Sequence, residues 1–354
     1  MERNGRKRRR GSRTTRRRRT APTGAIAVVP GAGALDTQLR ATARRAADFA
    51  KKSRADSTLR VYRLQWEAFC SWCSVRNLSC LPAAPQAVLL YVTEREMGVA
   101  GGKPAGLSTI LQIVAAVAHH HKTAEQPVPT HDPKLRQVLE GMVRTKSREN
   151  PPRRAFPLNP EQLGLLCAAS GDSSSAVRDR ALVLLGWAAA RRRSEIVAWD
   201  LADVAQEPTG VVMTVRRSKT DQLGRGTSVG VLLQPDEAVC PVRALRRWLE
   251  LRGEDPGPLF QSVRHGVVTG RRLDGKEVTR IIKKLAKRAG FSQDLIDKLT
   301  AHSLRSGFAT TAAKRKKSPF AIAKQGGWSS LTTLQRYIRD AELLDDDNPT
   351  RGLL

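Results

Sequence analysis

Ala301-His302-Ser303-Leu304-Arg305, then Gly326-Gly327-Trp328, then Gln335-Arg336-Tyr337-Ile338-Arg339: these runs constrain the reading of the chain more than any others. A histidine and an arginine three residues apart on a helix form one cationic face. Gly326-Gly327 stops a helix and Ser329-Ser330 starts the next, which carries Tyr337. The set has the parts of a phosphodiester-cleaving site whose nucleophile is a phenol. That chemistry needs four things: the phenol oxygen in line with phosphorus, positive charge on two non-bridging oxygens, a base for the phenol, and an acid for the leaving 5′ oxygen. Guanidinium meets the second need because its planar fork matches two phosphate oxygens. Two fixed clamps of this kind stabilise a pentavalent transition state without metal. No metal-ligand cluster competes with them in the sequence, so we expect neither metal nor cofactor.

Working outward, Ala190-Arg191-Arg192-Arg193-Ser194-Glu195-Ile196 follows a stretch, Arg180 to Ala190, that is apolar almost all round and reads as a buried helix. Val211 to Val215 and Ser228 to Leu233 read as two strands of a hairpin. The loop between them carries Arg216-Arg217-Ser218-Lys219-Thr220. Each piece alone has a plain structural reading. Arg192 with Glu195 is an ordinary i,i+3 ion pair, and Lys219 is a solvated turn lysine. Tyr337, one turn after Leu334, is a core residue at the edge of a face formed by Leu331, Leu334 and Ile338.

Taken together and in order over residues 192–337, these motifs resemble the tyrosine recombinase (phage integrase) family. The Gly-Gly-Trp and Tyr-Ile-Arg runs resemble its Cre-like members. The resemblance covers roughly residues 50–345 and implies a role for each position. Tyr337 is the nucleophile, Arg192 and Arg305 are the phosphate clamps, and Glu195 is an acidic partner that orients a neighbouring group. Lys219, on a mobile hairpin, is the general acid to the 5′ oxygen, and His302 is base or hydrogen-bond donor. Trp328 stands where many relatives carry histidine; an indole N–H can donate to a phosphate but cannot move a proton. Three arginines in a row depart from the family pattern, so the register of Arg192 rests on Glu195.

The implied fold is mainly α with a small β-sheet. A helical core-binding (SAM-like) domain is joined to an α+β catalytic domain, and the two form a C-shaped DNA clamp. The implied activity is site-specific recombination of double-stranded DNA at inverted-repeat sites. It proceeds through a 3′-phosphotyrosine and a Holliday junction, within a homotetramer and without cofactor. Two rivals stand beside it: a type IB topoisomerase-like enzyme, and a catalytically silent DNA-binding regulator.

Charge points the same way. The chain carries 62 Lys and Arg against 33 Asp and Glu, a net +29, of which the first 20 residues supply only +10. A folded body that keeps such an excess repels itself unless a polyanion relieves it. Five cysteines, an odd number, argue for reduced thiols in a cytosol-like compartment. Cys70-Ser71-Trp72-Cys73 has helical surroundings and no second pair, so we read it as core and not as a zinc site. No stretch is apolar enough to span a membrane. The expected location is cytoplasmic and DNA-associated, or nuclear in a eukaryotic host.

Residues 1–36 read as a disordered basic tail. From 37 to 148 the spacing is helical. Ser57-Thr58-Leu59 caps a first helix, Pro82 to Pro85 open a second, Leu107 begins a third and Asp132-Pro133 a fourth. His119-His120-His121 ends the third, as a C-terminal cap or a phosphate contact. The run from 146 to 160 holds four prolines and four basic residues. It yields a stiff cationic linker over 149–160 that includes Arg153 and Arg154. The catalytic domain follows over 161–354. Within it Arg280, Lys283, Lys284, Lys287 and Arg288 make a basic helical face, which we expect to contact DNA.

Overall fold

The computed structural model describes residues 37–51, 54–100, 102–149, 155–216 and 226–342, and the basic tail of 1–36 lies outside them. The chain divides into two compact units, Met1–Pro152 and Arg153–Leu354.

Among the described residues, the first unit holds five α-helices: α1 (Thr37–Lys51), α2 (Asp56–Val75), α3 (Pro85–Met97), α4 (Leu107–Thr123) and α5 (Pro133–Glu149). Helices α2 to α5 share a core that includes Phe69, Trp72, Val88, Tyr91, Ile110, Ile113, Val117 and Leu135, spaced three or four apart along α2, α3 and α4. Ser57 does not cap α2. The helix starts one residue earlier at Asp56, whose carboxylate suits the positive N-terminal end. Asp132 does cap α5, its Oδ1 accepting from the Leu135 N–H at 3.0 Å. Lys146 to Glu149 belong to the last turn of α5 and not to an extended linker, and Lys146 pairs with Glu96 at 2.5 Å.

The histidine run is structural. The Ala83 N–H donates to His121 Nε2 at 2.9 Å, so Nδ1 carries the proton and donates to the Val117 carbonyl at 2.8 Å. His120 stacks on Trp66 with ring centroids 4.6 Å apart, and His119 leans on Tyr62. Aromatic packing has taken the rings that the sequence offers to phosphate. The five cysteines are free thiols, with Cys73, Cys167 and Cys240 buried.

The second unit begins with α6 (Pro160–Ala168), α7 (Ser174–Ala188) and α8 (Arg193–Ala198). An antiparallel sheet follows in the order β1 (Val204–Glu207), β2 (Gly210–Val215), β3 (Thr227–Leu232). After α9 (Pro241–Arg252) comes a second hairpin, β4 (Gln261–Arg264) and β5 (Val267–Arg272). Five helices close the unit: α10 (Gly275–Arg288), α11 (Gln293–Lys298), α12 (His302–Lys314), α13 (Pro319–Gly326) and α14 (Leu331–Glu342). The protein is mostly helical with small antiparallel sheets.

The expected hairpin is β2–β3, paired Val211↔Val231 through Val215↔Thr227. Val211, Met213 and Val215 alternate inward from β2, and Val229 and Val231 from β3. Strands β1, β4 and β5 escape the sequence reading because β1 and β4 are only four residues long and β1 and β5 are mostly exposed. Helix α7 runs Ser174–Ala188, starting six residues before and ending two residues before the stretch read from sequence, with Ser173 Oγ accepting the Ala176 N–H. It is the spine of the core, buried along Ala181, Leu182, Val183 and Leu185.

One crossing fixes α12. The backbone before α6 passes so close to Gly307 that a Cβ there would lie 1.9 Å from the Leu158 carbonyl oxygen. The Leu158 N–H donates to Ser303 O at 3.2 Å, and Trp187 Nε1 donates to Leu158 O at 2.9 Å. Only glycine permits this approach, and the crossing locks the helix that carries His302 and Arg305.

Candidate active site

Helix α7 ends at Ala188, and the chain turns through Ala190 at φ +52°, a left-handed conformation that costs a non-glycine residue about 1–2 kcal/mol. The turn brings three arginines into the site. Arg192 is the N-cap residue of α8. Its Nη1 donates to Glu195 Oε1 at 2.8 Å, while Glu195 Oε2 accepts the Arg192 backbone N–H at 3.2 Å. Glu195 is buried, so one carboxylate both starts the helix and holds the guanidinium. Arg191 points inward and is buried.

Across from this turn, α12 presents His302 on its first turn and Arg305 one turn later. Arg305 is 2% exposed. Its Nη1 donates to the carbonyls of Ala190, at 2.6 Å, and of Gly326. The guanidinium lies over the Trp328 ring, 3.7 Å from its centroid. Burial lowers the Arg305 pKa to about 10, and the neighbouring Arg192 adds to the effect. The group is nonetheless a cation at neutral pH. The glycine pair makes the arrangement possible. A Cβ at Gly326 would lie 1.8 Å from Trp328 Cζ3. Gly327 caps α13 at φ +67°, and a Cβ there would lie 2.7 Å from Arg191 Nη1.

Helix α14 delivers Tyr337. Buried Leu334 anchors the helix to Ala309, Ala312 and Ile322, and the half-buried Tyr337 and Trp328 pack at the margin of that cluster. Leu331, expected on the buried face, is exposed because it opens the helix. The Tyr337 hydroxyl lies 2.8 Å from His302 Nε2. The His302 pKa is lowered, first by desolvation and then by Arg305 and Arg192. A neutral imidazole can therefore accept the phenol proton, while the clustered cations favour an anion. Arg191, Arg192, Arg193, Thr279, Thr300, Ala301 and His302 line a cavity of about 190 Å³.

The structure thus brings together Arg192, Glu195, His302, Arg305, Trp328 and Tyr337. Lys219, Arg153 and Arg154 lie outside the described residues. The basic face of α10 is divided. Lys284 is bound to the buried Asp179 at 2.6 Å, and Asp179 also holds Arg178. Lys283 contacts Asp297, and Arg288 donates to the Ser170 carbonyl at 3.2 Å. Arg280 and Lys287 are exposed. Lys284 is therefore an internal ion pair first, which sequence could not show because Asp179 is 105 residues away. The other residue missed is Arg191, whose signal was its place in an arginine triplet directly after a buried helix. Among the described residues no three His, Cys, Asp or Glu side chains are grouped to hold a metal, and no helix is long and apolar enough to cross a membrane.

Residues 157–343 match the phage integrase family. An integrase/recombinase XerD homologue of Selenomonas ruminantium is 32% identical over 302 residues, covering 84% of this chain and 85% of that protein. Among solved structures, the site-specific recombinase XerH bound to palindromic difH substrate, a post-cleavage complex, aligns with TM-score 0.57 at 16% identity, over 80% of this chain and 76% of that one. A lambda integrase tetramer bound to a Holliday junction aligns with TM-score 0.56 at 16% identity, over 87% and 79%. At these identities the solved structures speak for the fold.

Proposed function

The chain belongs to the phage integrase family and is a tyrosine recombinase, and from that premise we propose that Tyr337 is the nucleophile of site-specific DNA strand exchange. The Tyr337 oxygen attacks the scissile phosphorus and its proton passes to His302 Nε2. The 5′ oxygen leaves, taking a proton from Lys219, and a 3′-phosphotyrosine remains. Rejoining reverses the steps with a 5′ hydroxyl from the partner strand. Because the phosphotyrosine conserves the energy of the phosphodiester, the cycle needs no nucleotide.

The single observation that carries this reading is the 2.8 Å approach of the Tyr337 hydroxyl to His302 Nε2 beside two arginines. Arg192 and Arg305 are the phosphate clamps. Each is held by the protein before DNA arrives, Arg192 by Glu195 and Arg305 by two carbonyls. Prefixed donors of this kind cost no reorganisation in the transition state. Trp328 fixes the plane of Arg305 and offers its N–H to the phosphate. The exchange runs within a homotetramer on two inverted-repeat sites, through a Holliday junction, as the tetrameric arrangement of a fold relative suggests. Arg280 and Lys287, exposed on α10, and Arg153 and Arg154 supply phosphate contacts that set register.

The test is to mix purified protein with sheared DNA from its own replicon, denature in SDS and sequence what stays attached, with Tyr337→Phe in parallel. Attached DNA in the wild type alone, ending at one shared position between inverted repeats, is the expected result. Attachment in both proteins would remove Tyr337 from the role. Binding by both without attachment would favour a silent DNA-binding protein.

A further inference from the structure

Among the described residues, Arg191 is the one side chain with two buried nitrogens that lack a hydrogen-bond partner. It is 1% exposed, and neither its Nε nor its Nη2 has a hydrogen-bond partner. Those two nitrogens form one edge of the guanidinium fork, the edge with which arginine grips an oxyanion pair. The buried Arg252 and the half-buried Arg95 each leave one nitrogen unpartnered, but both are anchored elsewhere. Arg95 donates to the Ala100 carbonyl, and Arg252 to those of Pro258, Gly253 and Asp255.

The placement is held by the fold. Ala190, in a left-handed turn, sends the next side chain inward, and the bare backbone of Gly327 admits it. Arg191 lines the same cavity as Arg192 and His302, and its field reaches Arg305. Arg192 and Glu195 are the charged neighbours that act on it, and Glu195 is already bonded to Arg192. Three arginines thus share one buried carboxylate. A buried cation without a full counter-charge opposes folding, and an anion bound nearby relieves it.

We propose that Arg191 is a third cation of the phosphate centre, a positioning residue that strengthens the hold of Arg192 and Arg305 on the DNA phosphodiester by its field and not by contact. Its burial excludes direct contact in this conformation. The proposal rests on the phosphodiester-site reading above and extends it to a residue outside the expected set.

The test uses the full chain and inorganic phosphate as probe. Thermal unfolding of wild type, Arg191→Leu and Arg191→Gln is followed in sodium chloride and in sodium phosphate at matched ionic strength. In chloride, Arg191→Leu should melt no lower than wild type, because an uncompensated charge has gone. Its phosphate-induced rise in melting temperature should be less than half that of wild type, and Arg191→Gln should show the same loss. Single-turnover cleavage at saturating DNA should fall roughly 10-fold or more in both variants. A merely structural arginine gives the opposite pattern: a lower melting temperature in both salts with the phosphate response intact, which overturns the proposal. If Arg191→Leu does not fold, a wild-type phosphate response in Arg191→Gln overturns it equally. Failure of the wild type to form covalent DNA would strike the strand-exchange reading instead, since the phosphate titration involves no cleavage.

Discussion

His302 Nε2 and the Tyr337 hydroxyl meet at 2.8 Å, although 35 residues and two helix breaks separate them. The contact depends on two independent supports. Gly307 lets α12 sit against the entering chain, and Leu334 seats α14 on α12. The direction of proton movement follows from electrostatics, because desolvation and two guanidinium groups hold the imidazole below its usual pKa of 6.5.

Single-turnover cleavage should therefore be level at and above neutral pH and fall as pH drops below 6.5, when His302 takes up a proton and stops accepting the phenol's. His302→Ala should lower the plateau by about 10²- to 10⁴-fold, the usual share of a general base, and abolish the acid limb. A rate that instead falls as pH rises through 6.5 would make imidazolium the acid and cancel the base assignment. Stability carries the same sign. The folded pKa lies below the unfolded one, so the unfolded chain protonates first and stability at this residue is lost as pH falls from 6.5 toward the folded value.

Arg305→Lys should not behave as a conservative change. Lysine cannot lie flat on Trp328 at 3.7 Å while donating to the carbonyls of Ala190 and Gly326. Leaving one of those carbonyls unpaired costs about 1–3 kcal/mol. We expect a lower melting temperature and at least 100-fold slower cleavage, a loss of roughly 2.7 kcal/mol or more in transition-state stabilisation. Unchanged cleavage would show that charge alone suffices and that the stacked geometry is dispensable.

The glycine pair separates a geometric role from a general preference. Gly326→Ala places a methyl 1.8 Å from the Trp328 ring, so Trp328 must leave Arg305. Overpacking of this kind costs about 1–3 kcal/mol, and strand cleavage should fall with it. Gly327→Ala meets both a left-handed backbone and Arg191 Nη1 at 2.7 Å. Gly164 on α6 is the control, since its nearest neighbour, Val239, is 3.8 Å away. Alanine there should stabilise by about 0.5–1 kcal/mol with cleavage unchanged. Thermal melts and covalent-complex yields of the three variants decide the matter; equal effects at all three would reduce the pair to a helix stop.

The readable part of the site was its linear spacing. His302 and Arg305 share a helix turn, and Gly326-Gly327 announces the break before the helix of Tyr337, so their neighbourhood follows from local periodicity. What escaped were long-range pairings and short exposed elements. Nothing local in Lys284 distinguishes it from Lys287, because the difference is Asp179 on another helix. His119 to His121 look available until Tyr62, Trp66 and the backbone of Ala83 claim them. The burial of Arg191 depends on a backbone angle at Ala190 and a missing side chain at Gly327, neither of which is a property of the arginine. Strand β5 exposes most of its residues and β4 is only four residues long, which leaves little hydrophobic alternation to read.

The divided face of α10 gives a prediction in which two neighbouring cations separate. Arg280 is exposed, so Arg280→Ala should leave the unfolding free energy within about 0.5 kcal/mol of wild type, as surface substitutions do. It should weaken DNA binding and reduce the salt slope by about one counterion. Lys284 is different. Its ammonium lies 2.6 Å from the fully buried carboxylate of Asp179, with Arg178 on the other oxygen. Removing Lys284 leaves that carboxylate half-neutralised in the core between α7 and α10. Because the lysine is itself 41% exposed, solvent screening limits the loss to about 1 kcal/mol, below the 3–5 typical of a fully buried pair. Lys284→Met should therefore lower stability while the salt slope of DNA binding stays at the wild-type value. Chemical denaturation and binding titrations from 50 to about 200 mM salt read both quantities on the same proteins. A reduced salt slope in Lys284→Met would mean that DNA draws the lysine away from Asp179, which would make the pair a contact that DNA binding exchanges instead of a fixed strut of the fold.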